Sequence, residues 1–317
     1  MTQPIRIDSL PVTLSNSDLF ICSSSFEERC FKIARVFKGL QHFSIIFYSE
    51  NEYQKIIENS LELEKLFADR NARVGLNTDL PFENGVKINS ILDEVLSKGI
   101  YERIFIDTTT FTHETLLVIF RLLLFKKDKF KELHILYVGA EKYSTNEPEA
   151  SKKWLSAGIS SIRTVLGYPG VSSPARENHL IVLCGFESER TKSLIESLQF
   201  ETISLAFGGE GKSIAQSHQE INYTRHSRLM DYYQNANKLD ISLIDPFETK
   251  KEIDAQIAKF PTHNAVIAPM NNKLSTIGAA LVSIDNPKVQ IIYAKPIEYN
   301  VLGYSTPQAD CYHYRII

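Results

Sequence analysis

The second half of this chain repeats the first, and that constrains the fold more than any other feature. In the first half, β-rich runs fall at Leu19 to Cys22, Ser44 to Tyr48, Arg73 to Leu76, Arg103 to Ile106 and Leu133 to Val138. Amphipathic stretches lie between them at Glu27 to Lys38, Tyr53 to Arg70, Val86 to Lys98 and His113 to Lys126. Short apolar runs alternating with longer 3.6-period stretches predict β-α-β units on a parallel sheet. The second half gives strands at His179 to Leu183, Thr202 to Phe207, Asp240 to Ile244, Ala265 to Ala268 and Val289 to Ala294. Its helices are expected at Glu187 to Gln199, Ile214 to Asn235, Thr249 to Lys259 and Leu274 to Ile284.

Residue identities support the repeat. Phe26-Glu27-Glu28-Arg29 after the first strand matches Phe186-Glu187-Ser188-Glu189-Arg190, and Asp79-Leu80-Pro81-Phe82 after the third matches Asp245-Pro246-Phe247. On the fifth strand, Tyr137 and Tyr143 match Tyr293 and Tyr299, both at the same offset (293 − 137 and 299 − 143). The fold class expected is therefore α/β, with two tandem Rossmann-like parallel-sheet units related by internal duplication. The expected division is 1–144 for the first unit, 145–178 for a connecting segment and 179–317 for the second unit with a C-terminal extension. The connecting segment offers one further strand at Ser161 to Leu166, and the aromatic extension from Val301 is expected to add a strand to the second sheet.

Composition excludes several classes. The 317 residues suit two ordinary domains, and 43% hydrophobic with 23% charged residues argues against disorder. A net charge of −3 supplies no global attraction to nucleic acid or anionic lipid. The longest apolar run, Leu116 to Phe125, is interrupted by Arg121, and Met1 to Leu10 lacks a signal-peptide pattern, so a cytoplasmic protein with no membrane partner is expected. The four cysteines form no C-x-x-C pair and the eight histidines no metal-ligand spacing, so neither a metal nor a cofactor is expected.

In open parallel sheets ligands bind beyond the carboxyl ends of the strands. The candidate ligand-binding residues are therefore those just after the strands. After the first strand come Ser23, Ser24 and Ser25, for which plain helix capping is the alternative. Arg29 and Arg190 occupy matching first turns, where the helix dipole disfavours a cation unless an anion faces it. That anion is either a ligand phosphate or carboxylate, or Glu27 and Glu187 in a repeated structural brace. After the fourth strand, Asp107, Thr108, Thr109 and Thr110 correspond to Asn271, Asn272, Lys273, Ser275 and Thr276, hydroxyls, amides and an ammonium suited to phosphate oxygens or a base edge. Asp107 is also the candidate catalytic acid or base. Ala206 to Ser213 (AFGGEGKS) fits a relaxed phosphate-loop pattern, but it follows the second strand of its unit. No G-x-G-x-x-G follows either first strand.

This layout resembles the CRISPR-associated Rossmann-fold (CARF) sensors and the related SAVED sensors of bacterial antiviral signalling, in which two CARF-like units are fused. The family's ligand loops follow the first and fourth strands, where Ser23 to Ser25, Asp107 to Thr110 and Asn271 to Thr276 stand. Neither fourth-strand loop carries the family's glycines. The resemblance implies a nucleotide or cyclic oligonucleotide ligand and an effector on a separate polypeptide. The function expected is a nucleotide-like ligand sensor or regulatory protein of bacterial antiviral defence. The alternatives are a hydrolase or transferase acting on nucleotides or nucleic acid through Asp107, and a scaffold subunit. Assembly as a homodimer stays open.

Overall fold

The structure is a computed structural model and describes residues 4–149, 152–198 and 200–317. Along the chain, β1 (Ile5–Arg6) precedes β2 (Asp18–Ser23), α1 (Lys32–Val36), β3 (Phe43–Ser49), α2 (Gln54–Phe67) and β4 (Asn71–Leu76). Next come α3 (Pro81–Leu96), β5 (Tyr101–Asp107), α4 (His113–Phe125) and β6 (Phe130–Tyr143). Then follow β7 (Ser156–Ala157), β8 (Ser161–Thr164), β9 (Asn178–Leu183), α5 (Ser188–Ser197), β10 (Thr202–Gly208), α6 (Gln216–Tyr232) and β11 (Asn237–Ile241). The remainder is α7 (Pro246–Ala258), β12 (Asn264–Pro269), α8 (Lys273–Asp285), β13 (Gln290–Lys295), β14 (Glu298–Tyr299) and β15 (Ser305–Arg315).

These elements build two largely parallel sheets, ordered β1-β15-β6-β5-β2-β3-β4 and β11-β10-β9-β12-β13-β8, and a two-stranded antiparallel pair of β7 and β14. Counted within each repeat, the five parallel strands follow one order, 3-2-1-4-5. The first strand of each repeat is central and apolar on both faces. Leu19 to Cys22 and Leu180 to Leu183 are fully buried, as parallel strands covered by helices on both sides must be. The duplication read from residue identities is thus a duplication of topology.

The C-terminal extension corrects the expected boundaries. β15 lies between β1 and β6 in the first sheet and adds nothing to the second. Cys311 joins the first unit's apolar cluster with Phe20, Cys22, Cys30 and Val138, so burial of one face of β15 fixes its sheet. The compact units are accordingly 1–142 with 305–317, and 143–304. In the second sheet the place beside the fifth strand is taken by β8, from the connecting segment, pairing antiparallel with β13. β15 also runs antiparallel to its neighbour, since Leu133 faces Ile316 and Ile317 while Tyr137 lies beside Tyr312.

Two elements depart from the sequence pattern. The helix expected over Glu27 to Lys38 is a 3-10 turn at Glu28–Phe31 running into the short α1, with Gly39 at φ 72° beyond it. β11 ends three positions early because the Ser242 hydroxyl accepts from the N–H groups of Ile244 and Asp245 and turns the chain into α7. Asp245 then caps α7 through Phe247 N and Glu248 N. The expected end of the α5 helix at Gln199 lies outside the described residues.

Candidate ligand site at the strand crossovers

In the order 3-2-1-4-5 the chain leaves the first strand toward one edge and the fourth toward the other. The loops after these two strands therefore lie at the switch point, where open α/β sheets place their ligands. The candidate residues gather at this place in each unit, and in each the fourth-strand loop is tied to the last residue of the first strand or the one after it. Thr110 Oγ1 donates to Ser23 O at 2.7 Å in the first unit, and Asn271 Nδ2 donates to Cys184 O in the second.

In the first unit the polar groups turn inward. Ser23, Ser24, Ser25, Asp107, Thr108 and Thr109 are all 0 to 9% exposed. Ser24 Oγ donates to Ile56 O at 2.6 Å, and Ser25 Oγ accepts from Glu27 N at 3.3 Å. Thr108 N and Oγ1 both donate to Leu136 O, and Thr109 Oγ1 accepts from Val138 N while donating to Asp107 Oδ1. These hydroxyls lace the ends of β2, β5 and β6 together. Burial pushes the Asp107 carboxyl up to about 7, against the pull of two hydrogen bonds from Thr109 and the Arg29 charge. Phe111, 2% exposed, packs against Phe47 of β3.

The repeated arginines are struts. Arg29 binds Glu27 through Nε (2.8 Å) and Nη2 (2.7 Å) and donates through Nη1 to Val138 O at 3.2 Å. Glu27 also accepts from Ser305 Oγ at the start of β15. Arg190 donates to Ala294 O (2.7 Å), Ser156 Oγ (2.7 Å) and Gly158 O (3.1 Å). Val138 and Ala294 are repeat equivalents, at the offset that relates Tyr137 to Tyr293. Each arginine therefore fastens the segment after the first strand to the fifth strand of its own sheet. Glu187 has turned to a different task, accepting from Leu155 N (2.8 Å) and Ser156 N (2.9 Å). Burial raises its pKa while Arg190 holds it down. The Glu-Arg brace is therefore built at Arg29 with Glu27, whereas Arg190 braces through two carbonyls and the Ser156 hydroxyl; Val138 and Ala294 carried no sequence signal, since a carbonyl partner can be any residue.

The second unit's loop is more open. Asn271, Asn272 and Lys273 are half-buried, and Met270 beside them is too. Gly185 lets the two loops converge, because a Cβ there would stand 1.9 Å from Met270 O. Asn272 caps α8 by accepting from Ser275 N at 2.9 Å, and its Nδ2 donates to Leu243 O at 2.6 Å. Ser275 and Thr276 are fully buried, their hydroxyls bonding back to Asn272 O, so they belong to the helix. Lys273 stands in the first turn, in the place that His113 holds in the first unit.

The phosphate-loop pattern is not built as a cradle. Lys212 Nζ pairs with Glu252 at 2.5 Å, Lys212 N bonds Gly209 O, and three residues separate Lys212 from α6. Cys22, Cys30, Cys184 and Cys311 are buried free thiols, held protonated by burial. Among the described residues no group of three or more His, Cys, Asp or Glu is placed to hold a metal. Among them, too, no helix is long and apolar enough to cross a membrane.

No protein-family model and no curated protein matches the chain. Two solved structures show a low-level likeness. One is an ABC transporter solute-binding protein from Burkholderia multivorans, with an unknown ligand assigned as α-D-erythrofuranose. It is 10% identical over 86% of this chain and 75% of its own, with a TM-score of 0.27. The other is UDP-GlcNAc 2-epimerase from Neisseria meningitidis bound to UDP-GlcNAc, 9% identical over 86% of this chain and 92% of its own, also with a TM-score of 0.27. Neither likeness bears on the ligand or chemistry of this chain.

Proposed function

We propose that the protein is a ligand-binding sensor or regulator that takes a nucleotide-like anion at the strand crossover of its second unit. One observation carries this. Asn271, Asn272 and Lys273, half-buried at the start of α8 on the switch point, bring two carboxamides and an ammonium there, whereas the matching stretch of the first unit offers Phe111, Thr112 and His113 after the inward-turned Asp107, Thr108 and Thr109. An ammonium and a helix N-terminus both favour negative charge, and carboxamides can read a base edge or bind phosphate oxygens. The CARF and SAVED resemblance extends the proposal to a cyclic oligonucleotide, with the response delivered through a separate effector in antiviral defence.

Thermal unfolding against nucleotides, cyclic dinucleotides and cyclic oligonucleotides tests the proposal. A ligand at about 100 times its dissociation constant stabilises the bound unit by ~2.7 kcal/mol, and Lys273→Ala should abolish the shift. A flat panel, or a shift undiminished in that variant, contradicts it. The second reading, a hydrolase or transferase, draws on the Asp107 carboxyl, whose value of about 7 suits a general acid or base. It predicts altered product in the same samples and loss of turnover in Asp107→Asn. The sensor reading predicts intact ligand.

A further inference from the structure

At the end of the first sheet opposite the crossover loops, β6 and β15 meet through a pair of histidines. His134 Nδ1 lies 3.0 Å from His313 Nε2, and His134 Nε2 lies 2.9 Å from Glu132 Oε2. Arg315 Nη1 pairs with the other Glu132 oxygen at 2.8 Å. The His134 ring stacks on Phe105 of β5 with centroids 4.6 Å apart, and the Arg103 guanidinium covers the same Phe105 at 5.3 Å. Arg103 is itself held by Asp18 of β2 at 2.7 Å.

The partners fix the protons. Glu132 accepts, so His134 Nε2 carries a hydrogen; its Nδ1 is then an acceptor and His313 Nε2 donates to it. One added proton fits on His313 Nδ1 with this chain intact. A second has only His134 Nδ1, which ends the ring-to-ring bond and sets two imidazoliums 3.0 Å apart. The charged groups around the pair are Glu132, Arg315 and Arg103, with Asp18 engaged by Arg103, so a single carboxylate faces the new charge.

We propose that His134 and His313 form an acid-released latch holding the C-terminal strand β15 on the first sheet. The bonds beside it, Ile316 N to Leu133 O at 2.7 Å and Leu133 N to Ile317 O at 3.4 Å, fasten the tail of β15 and depend on the latch for their alignment. Burial, and then the neighbouring His134, hold His313 down to about 4, and burial also lowers His134. The pair is neutral and closed at pH 7, and opening develops as pH falls from the ordinary histidine value of 6.5 toward 4.

Hydrogen exchange of the full chain at pH 7 and pH 4.5, corrected for intrinsic rates, tests the latch against His313→Gln. A glutamine amide donates to neutral His134 and accepts from its protonated form, so it bridges in either state. At pH 4.5 the wild-type amides of 312–317 should exchange about tenfold faster than in the variant, while 19–22 stay protected in both. Equal tail exchange in the two proteins, or tail exposure only together with 19–22, overturns the proposal.

Discussion

Asp107 shows how far a single residue can mislead when only its neighbours in sequence are known. An acid followed by three threonines at the end of a strand reads as a ligand loop. The same side chains, turned inward, form a bridge from β5 to Val138 and Leu136 of β6. Residue types fix the chemistry of such a loop but not the direction its hydroxyls face, which depends on carbonyls distant in sequence. The inward arrangement has a stability consequence. The folded-state value of Asp107 is raised from 3.8 to about 7, so its proton is retained in the native state and lost from the unfolded state between those limits. Stability contributed by this group is therefore greatest below pH 3.8 and falls as pH rises to 7. Asp107→Asn, which keeps an acceptor for Thr109, should stabilise the chain at pH 8 by an amount on the order of 3 kcal/mol, with the gain vanishing toward pH 4. Urea unfolding at the two pH values checks this. A variant less stable than wild type at pH 8 would mean that Arg29 keeps Asp107 ionised and content.

Among the elements, the α/β alternation, the strand centres and the long helices could be read from periodicity. The failures have local causes. The expected first helix collapses to a turn plus α1 where Arg29 is drawn back to Glu27 and Val138 O. β11 stops where the Ser242 hydroxyl captures two N–H groups. Neither capture is visible in apolar spacing. The arginine struts fasten the segment after the first strand of each repeat to its fifth strand. Arg29→Met strands the buried Glu27 carboxylate, to which the Ser305 hydroxyl still donates. Breaking such a pair should cost about 3 to 5 kcal/mol in the unfolding of the first unit. The double variant Glu27→Gln with Arg29→Met should recover at least half of that loss, because the uncompensated charge is gone. Additive losses in denaturant titrations would show that the arginine acts through packing alone.

At the scale of the whole molecule, the repeat predicts the architecture because each copy must bury both faces of its central strand. It does not predict which copy the last strand joins. The aromatic tail follows the second unit in sequence, but Cys311 completes the apolar cluster around Phe20 and Cys22, so the chain returns to the first. Each sheet thereby gains an antiparallel strand beside its fifth strand, from β15 in one and from β8 in the other. The copies have diverged at their crossover loops, one laced by the hydroxyls of Thr108 to Thr110, the other built from Asn271, Asn272 and Lys273. Hydrogen exchange of the full chain with and without saturating cyclic oligonucleotide measures that divergence directly. The expected result is slowed exchange at 270–276 with no change at 23–29 or 107–112; protection in the first unit's loops, or at neither place, would contradict a ligand site in the second unit.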